Sequence, residues 1–339
     1  MQDDKRVRAG FWRRLGGYLI DVILLGAAGG LFGYLAFDWL SALPGPTRLI
    51  GLAIGIVYFG VLSAGMCGGR TLGMWVTGIK VVTTSGRGVN LFVSLWRAAL
   101  LNAPIIVNGL NLEFSDGRLA TAYAVLAVVL VFGFYPVQIL LLIFNAPYRR
   151  LLHDLLSGTV VVRADIEGAP GVRFRLLEGV ALGLVVLLSA GAYLASTSLL
   201  PKFAPSETLK ALEEARSAVR KVPGVLEAGV SDATSRTMSG EGSTVSRTLV
   251  VRVRVARLPE EDDKALARAI VNAVVESYEL APDQAVRVEF VNGFDIGVAA
   301  FWRSRSETME LVELEVVEAP NPNDNDASDN ASEKAEAAP

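Results

Sequence analysis

The stretch Arg14-Leu15-Gly16-Gly17-Tyr18-Leu19-Ile20-Asp21 places an arginine at the mouth of an apolar run and a carboxylate inside it. The two charges lie almost two helical turns apart and so point the same way. Residues 18–39 carry only Asp21 and Asp38 as charges and are long enough to cross a bilayer, which puts Asp21 about one turn below the membrane surface. A charge facing lipid costs kilocalories, so Asp21 is expected to face protein and to need a partner.

Working outward, composition agrees with a membrane protein. Hydrophobic residues make up 52% of the 339 and charged residues 20%, and the mean hydropathy of +0.42 lies above that of an ordinary soluble globule. Residues 1–200 hold 16 basic and 10 acidic side chains, whereas 201–339 hold 16 and 25, so a basic membrane half precedes an acidic soluble half. The single cysteine, Cys67, excludes an intramolecular disulfide, and with the single histidine, His153, it argues against a zinc site of Cys/His type. Lys5, Arg6, Arg8, Arg13 and Arg14 look like the start of a signal peptide, but the apolar run behind them is too long for one and reads as an uncleaved first span. Its pairs Gly26/Gly30 and Gly29/Gly33 have the spacing at which a neighbouring helix packs closely. Residues 41–47 form a turn, and residues 49–66 a second span with Gly51 and Gly55 again at contact spacing.

Residues 68–82 cannot span. Residues 79–83 have strand composition and precede a glycine turn, and a second β-rich run at 158–163 is available to pair with them as a small sheet at the membrane surface. No lysine follows a Gly-x-x-x-x-Gly here, so this is no phosphate-binding loop.

Taken in order, residues 14–21, Gly69-Arg70-Thr71-Leu72-Gly73 with 78–82, Ser94-Leu95-Trp96-Arg97-Ala98 and residues 150–159 resemble the RDD family of integral membrane proteins, named for one arginine and two aspartates. The resemblance covers about residues 8–165. It assigns Arg14 as the arginine, Asp21 as the first aspartate and Asp154 as the second. It implies a membrane bundle more than an activity; transport is suggested for some members.

The segment 91–112 is apolar but broken by Arg97, Asn102, Pro104 and Asn108, and can either span or lie in the interface. If it spans, the arginine-rich loop 145–175 falls on the side of the basic N-terminus, as the positive-inside rule asks. That reading is favoured, with Arg97 snorkelling near the cytoplasmic end. Residues 113–118 are then outside, and 119–144 form a fourth span kinked near Pro136 and Gln138. Residues 176–200, with Glu178 at their entry, form a fifth span beyond the RDD-like part, delivering the remainder outside.

In the soluble part, residues 206–221 read as a helix, 225–230 and 247–257 as strands joined by a Ser/Thr/Gly-rich loop at 231–246, and 286–290 as a third strand. Pro259 opens a second helix with acids 260–263 in its first turn, and residues 294–302 complete an edge. The expected architecture is therefore an α-helical membrane bundle of four RDD-type spans plus a fifth, followed by a small two-layer α/β sandwich of order α-β-β-α-β with a mostly antiparallel sheet. The domains run 1–165, 166–202 for linker and fifth helix, 203–318 for the soluble domain, expected to fold alone, and 319–339 for a disordered tail.

No catalytic residue, cofactor or metal site is expected. His153 and Asp154, adjacent on a helix, point about 100° apart and make no dyad, and His153 reads as a surface residue at the membrane edge. The contiguous acids 260–263 lack calcium-loop spacing. Arg252, Arg254 and Arg287 read as a solvated sheet face. The residues singled out are the membrane-embedded or motif charges Arg14, Asp21, Arg97 and Asp154. Two functions follow. One is an anchor and assembly factor displaying an extracytoplasmic domain, its charges locking the helices; the alternative is a small-solute or ion transporter, proton-coupled through Asp21. The partners called for are the lipid bilayer, further copies of the chain for a transport pathway, and a protein partner for the C-terminal domain; no nucleic acid is expected.

Overall fold

The computed structural model describes residues 9–110, 112, 117–146, 148–165, 174–198, 206–239, 242–260, 264–281 and 284–309. The N-terminal basic residues up to Arg8, the loop 113–116, Arg173, the acids 261–263 and the tail 319–339 lie outside them. Two compact units are present: the first takes 1–210 with Arg254–Leu258 and Val291–Arg303, the second the remainder.

The first unit opens with helix α1 (Phe11–Leu35), which is built inside out: it buries Arg14, Gly17, Asp21, Gly29 and Gly33 while Ile23, Leu31 and Tyr34 are exposed. That inversion suits a helix whose solvent is lipid. Phe11–Leu35, Arg118–Phe144 and Leu176–Ala195 are long and apolar enough to cross a membrane, with mean hydropathies of 1.8, 2.5 and 1.9. The other two expected spans are shorter apolar helices, α3 (Arg48–Leu62) and α5 (Leu91–Val107), and α2 (Phe37–Ala42) follows α1. Helices α3 and α5 lie antiparallel, Gly55 against Asn102 and Gly60 against Leu95.

Helix α4 (Leu72–Thr77) starts where Thr71 caps it by accepting from the Met74 amide at 3.2 Å and stops at Gly78, whose φ of 66° favours glycine. Its Gly73 meets Gly17 of α1 backbone to backbone. Strand β1 (Ile79–Thr83) pairs antiparallel with β2 (Thr159–Arg163), Ile79 opposite Arg163 and Thr83 opposite Thr159. Helix α6 (Gly117–Val128), a π-helical turn (Val129–Phe134) and α7 (Tyr135–Phe144) form one continuous run. The irregularity precedes Pro136, which has no N–H for the helical ladder, and is the place where a kink was expected. Gly133 in the π-turn admits Ser189 and Val185 of α9 (Leu176–Ser198). Helix α8 (Leu152–Leu156) precedes β2.

The second unit holds helices α10 (Ser206–Arg220) and α11 (Ala265–Val275) and most of a four-stranded sheet ordered β3 (Val225–Ser239), β4 (Gly242–Val255), β5 (Gln284–Asp295), β6 (Ala300–Met309). Its buried side chains include Val219, Leu249, Val251, Ile270, Val288 and Phe290. Three expectations are corrected. The stretch 231–246 is largely strand, because its Ser and Thr residues suit a pleated surface as well as a loop. The second helix begins at Ala265; Pro259, Glu260 and Lys264 are not helical. Arg254 is buried, donating to the Ser41 and Leu43 carbonyls at 3.1–3.3 Å, while Arg252 and Arg287 are exposed. Arg252 bonds Glu289, and Asn292 bonds the Val255 carbonyl, both at a separation of 37 residues. A constant separation marks parallel neighbours, so β4-α11-β5 is a crossover unit inside a sheet expected to be mostly antiparallel.

The β5–β6 turn belongs to the first unit. Phe294 and Ile296 are buried with Leu40. Asp295 pairs with Arg48 at 2.8 Å and accepts from Gly297 N at 2.7 Å. Gly29 and Gly33, expected to admit a helix, instead lie under Val298 and Phe294, and Gly51 lies under the Ile296 carbonyl. A fragment spanning 203–318 therefore leaves Phe294, Ile296 and Val298 uncovered, contrary to the expectation that no span covers it.

Candidate functional site

Arg14, on the first turns of α1, and Arg97, two turns into α5, converge on one carboxylate, Asp154 of α8. Arg14 Nη2 donates to Asp154 Oδ2 and Arg97 Nε donates to Oδ1 at 2.9 Å. Arg14 Nη1 also donates to the Tyr148 carbonyl at 3.0 Å and to that of Arg149. Asp154 is 0% exposed and Arg97 2%. Arg97 is thus a buried partner, not the snorkelling side chain expected: α5 packs on α3 from Leu95 to Asn102, and Arg97 turns instead to Asp154 and His153 of α8.

His153 is buried as well, not at the surface. Its Nδ1 donates to Gln138 Oε1 at 2.5 Å, which leaves Nε2 to accept from Arg97 Nη2 at 3.3 Å. Burial, and then the two arginines, push the imidazole down to about 3, although Asp154 opposes them. Burial raises the Asp154 carboxyl, but Arg14, His153 and Arg97 outweigh it and hold the group well below the usual carboxylate range. Linkage gives the sign: an unfolded His153 takes up a proton below about 6.5 and the folded one does not, so stability falls as pH drops through that value. Thermal midpoints in detergent are expected to decline from pH 7 to 5, and His153→Gln is expected to flatten that decline. An unchanged slope in the variant would show that another group carries it.

Asp21 stands apart. It is 0% exposed and accepts from Tyr58 Oη at 2.7 Å, Thr71 Oγ1 at 2.5 Å and Gly73 N at 2.7 Å. No arginine reaches it among the described residues, and the partner it was expected to need is a set of three uncharged donors. Gly73 is required because its amide comes so close that a Cβ there would overlap the Gly17 carbonyl. Asp21 therefore ties α1 to α3 and to the N-terminus of α4.

A further buried pair joins Arg150 Nη1 to Glu178 Oε2 at 3.3 Å, with Asn145 Nδ2 donating to the same carboxylate at 3.3 Å. It connects α9 to the segment before α8. The sequence offered one signal for it, Glu178 as the sole charge of the fifth apolar run. Tyr58, Gln138 and His153 gave none, since a tyrosine, an amide or an imidazole in such a chain has many uses.

A cavity of about 240 Å³ lies among these elements, reached by Arg14, Asp21, Arg97 and His153 and otherwise lined mainly by apolar and aromatic side chains. Among the described residues no group of three or more His, Cys, Asp or Glu is placed to hold a metal ion.

Residues 8–158 match the family model described as the RDD family. The uncharacterized protein YckC of Bacillus subtilis (strain 168) is 27% identical over 156 residues, which are 46% of this chain and 85% of that protein. No solved structure matches the chain significantly. The match contains Arg14, Asp21, Arg97 and Asp154 and ends before α9 and the four-stranded sheet. With its apolar helices, this match makes residues 8–158 similar to membrane proteins of the RDD family.

Proposed function

We propose that this protein is a membrane anchor and assembly factor that displays its C-terminal α/β domain on the extracytoplasmic side, and that it is not an enzyme. The observation carrying this reading is that the buried carboxylates of the first unit are answered by protein donors: Asp154 by two arginines, Glu178 by Arg150 and Asn145, Asp21 by two hydroxyls and an amide. Charges held in this way fix helices to one another. A second reading, transport of a small solute or ion, draws on the cavity that Asp21 lines.

Proteoliposomes separate the two. The anchor predicts no protein-dependent proton or cation flux, and loss of stability in Asp21→Ala as the donors of Tyr58, Thr71 and Gly73 lose their acceptor. A saturable flux abolished by Asp21→Asn with the fold intact would establish transport instead.

Five crossings are supported by the antiparallel run of α3 and α5 and by the arginines of residues 145–175, which parity places with the N-terminus inside. Cys67 is the sole cysteine and is exposed. An impermeant maleimide applied to intact cells is expected to spare it and to label Ala233→Cys in a Cys67→Ser background; labelling of Cys67 and protection of residue 233 would invert the orientation.

A further inference from the structure

We propose that the β5–β6 turn is a membrane-inserted element: it enters the leaflet farther from Arg14 and meets acyl chains through Ala300 and Phe301, with Trp302 and Arg303 at the headgroups. The inference rests on α1 crossing the membrane, not on its orientation or on the choice between anchor and transporter.

Composition separates this turn from one that faces water. Such turns are polar, but in Ile296-Gly297-Val298-Ala299-Ala300-Phe301-Trp302 the indole N–H is the only polar side-chain group. Arg303 ends the apolar run, its guanidinium 4.5 Å from the centroid of the Phe37 ring.

Depth is counted along α1 from Trp12, an aromatic side chain 78% exposed at the start of the helix, where the near headgroups lie. At about 1.5 Å per residue, Gly26 is about 21 Å, Gly29 about 26 Å and Gly33 about 32 Å beyond it. The turn follows these positions: the Val298 carbonyl faces Gly26, Val298 and Ala299 face Gly29, and the Phe301 ring faces Gly33. A hydrocarbon core of about 30 Å therefore takes in Val298 to Ala300, and its far edge falls near Phe301. Helices α3 and α5, of 15 and 17 residues, rise only about 22 and 26 Å. The turn stands where they stop, with the Ile296 carbonyl against Gly51 and Gly297 against Ile106.

Irregular backbone at such depth needs its polar groups satisfied by protein. The Asp295 carbonyl accepts from Thr47 Oγ1 at 2.7 Å, the Ile296 amide donates to the Ala299 carbonyl at 3.0 Å, and the Gly297 amide donates to Asp295 Oδ1 at 2.7 Å. The Asp295 carboxylate is itself paired with Arg48 at 2.8 Å. On the outward side Ala300, Phe301 and Trp302 are exposed. Phe301 lies on the same turns of α1 whose Leu31, Tyr34 and Leu35 are exposed to lipid, so acyl chains are the occupant continuous with that surface.

The test uses the full chain in phosphatidylcholine nanodiscs, with a nitroxide on Ala300→Cys in a Cys67→Ser background. Its collisions with oxygen, which concentrates among acyl chains, are compared with those of a water-soluble nickel chelate. The oxygen-to-nickel ratio is expected to approach that of Ile23→Cys, at the middle of α1, and to exceed that of Ala233→Cys several-fold. A ratio equal to that at residue 233 would put the turn in water and overturn the proposal. Few collisions with either reagent would put protein, such as a second copy of the chain, on this face and overturn it equally. Native protein gives a second measurement without a label: the fluorescence lost in Trp302→Phe is expected to be quenched by phosphatidylcholine brominated near the top of its chains and shielded from aqueous iodide. Iodide quenching as strong as for free tryptophan would also overturn the proposal.

Discussion

Asp154→Asn is expected to cost about 3–5 kcal/mol of stability, the range for removing one member of a buried ion pair, and here one substitution strips the counterion from two cations. Asp154 is fully buried and touches Arg14 and Arg97 by different oxygens. Asparagine preserves the shape but offers one acceptor where two are used, and its amide group points donors at donors. The variant should be read by thermal unfolding in detergent and by the fraction recovered as monodisperse protein. Removing one arginine as well, in Asp154→Asn with Arg97→Gln, is expected to recover part of the loss, because half of the unpaired charge disappears. Wild-type stability in the single variant would show that water reaches the centre and that the charges do not hold the helices.

Gly51→Val is expected to dislodge the β5–β6 turn. A Cβ at Gly51 would occupy the position of the Ile296 carbonyl oxygen, and that obstacle is backbone on a turn already fixed by Asp295 to Arg48 and Thr47. A flexible side chain could swing aside; this carbonyl cannot without opening the turn. Overpacking of this kind costs about 1–3 kcal/mol, and the loss of cover over Phe294 and Ile296 adds to it. Limited proteolysis between residues 291 and 303 should therefore cut the variant much faster than wild type, while the Asp154 centre, built from other elements, stays intact. Equal cleavage rates would mean that α3 shifts to accommodate the branch.

The charged residues were legible in the sequence because charge inside an apolar run is rare and costly. Their pairing was not. Arg14 and Asp21 share a helix face, which invites a pair, but the partner of Arg14 lies on a five-residue helix far along the chain, and no periodicity encodes that meeting. Asp21 is satisfied by Tyr58, Thr71 and a glycine amide, residue types too common to single out. Gly29 and Gly33 of α1 and Gly51 and Gly55 of α3 are sites of close approach, whereas Gly30 of the overlapping pair has nothing near it, and spacing alone does not say whether a helix or a strand turn approaches. In the sheet, alternation located Leu249 to Val255 well, whereas the polar composition of residues 231–246 imitates a loop although those residues are mostly paired strand.

The separation of 140 residues between Arg14 and Asp154 bears on how the protein is made. Helix α1 leaves the ribosome with its arginine unanswered, and at roughly 5–20 residues per second its counterion follows about 7–28 s later. During that interval α1 is an incomplete membrane segment, since the partners of Asp21 on α3 and α4 emerge first and those of Arg14 last. The bundle is therefore closed from its C-terminal side, and a nascent chain halted before residue 154 lacks the carboxylate that answers Arg14.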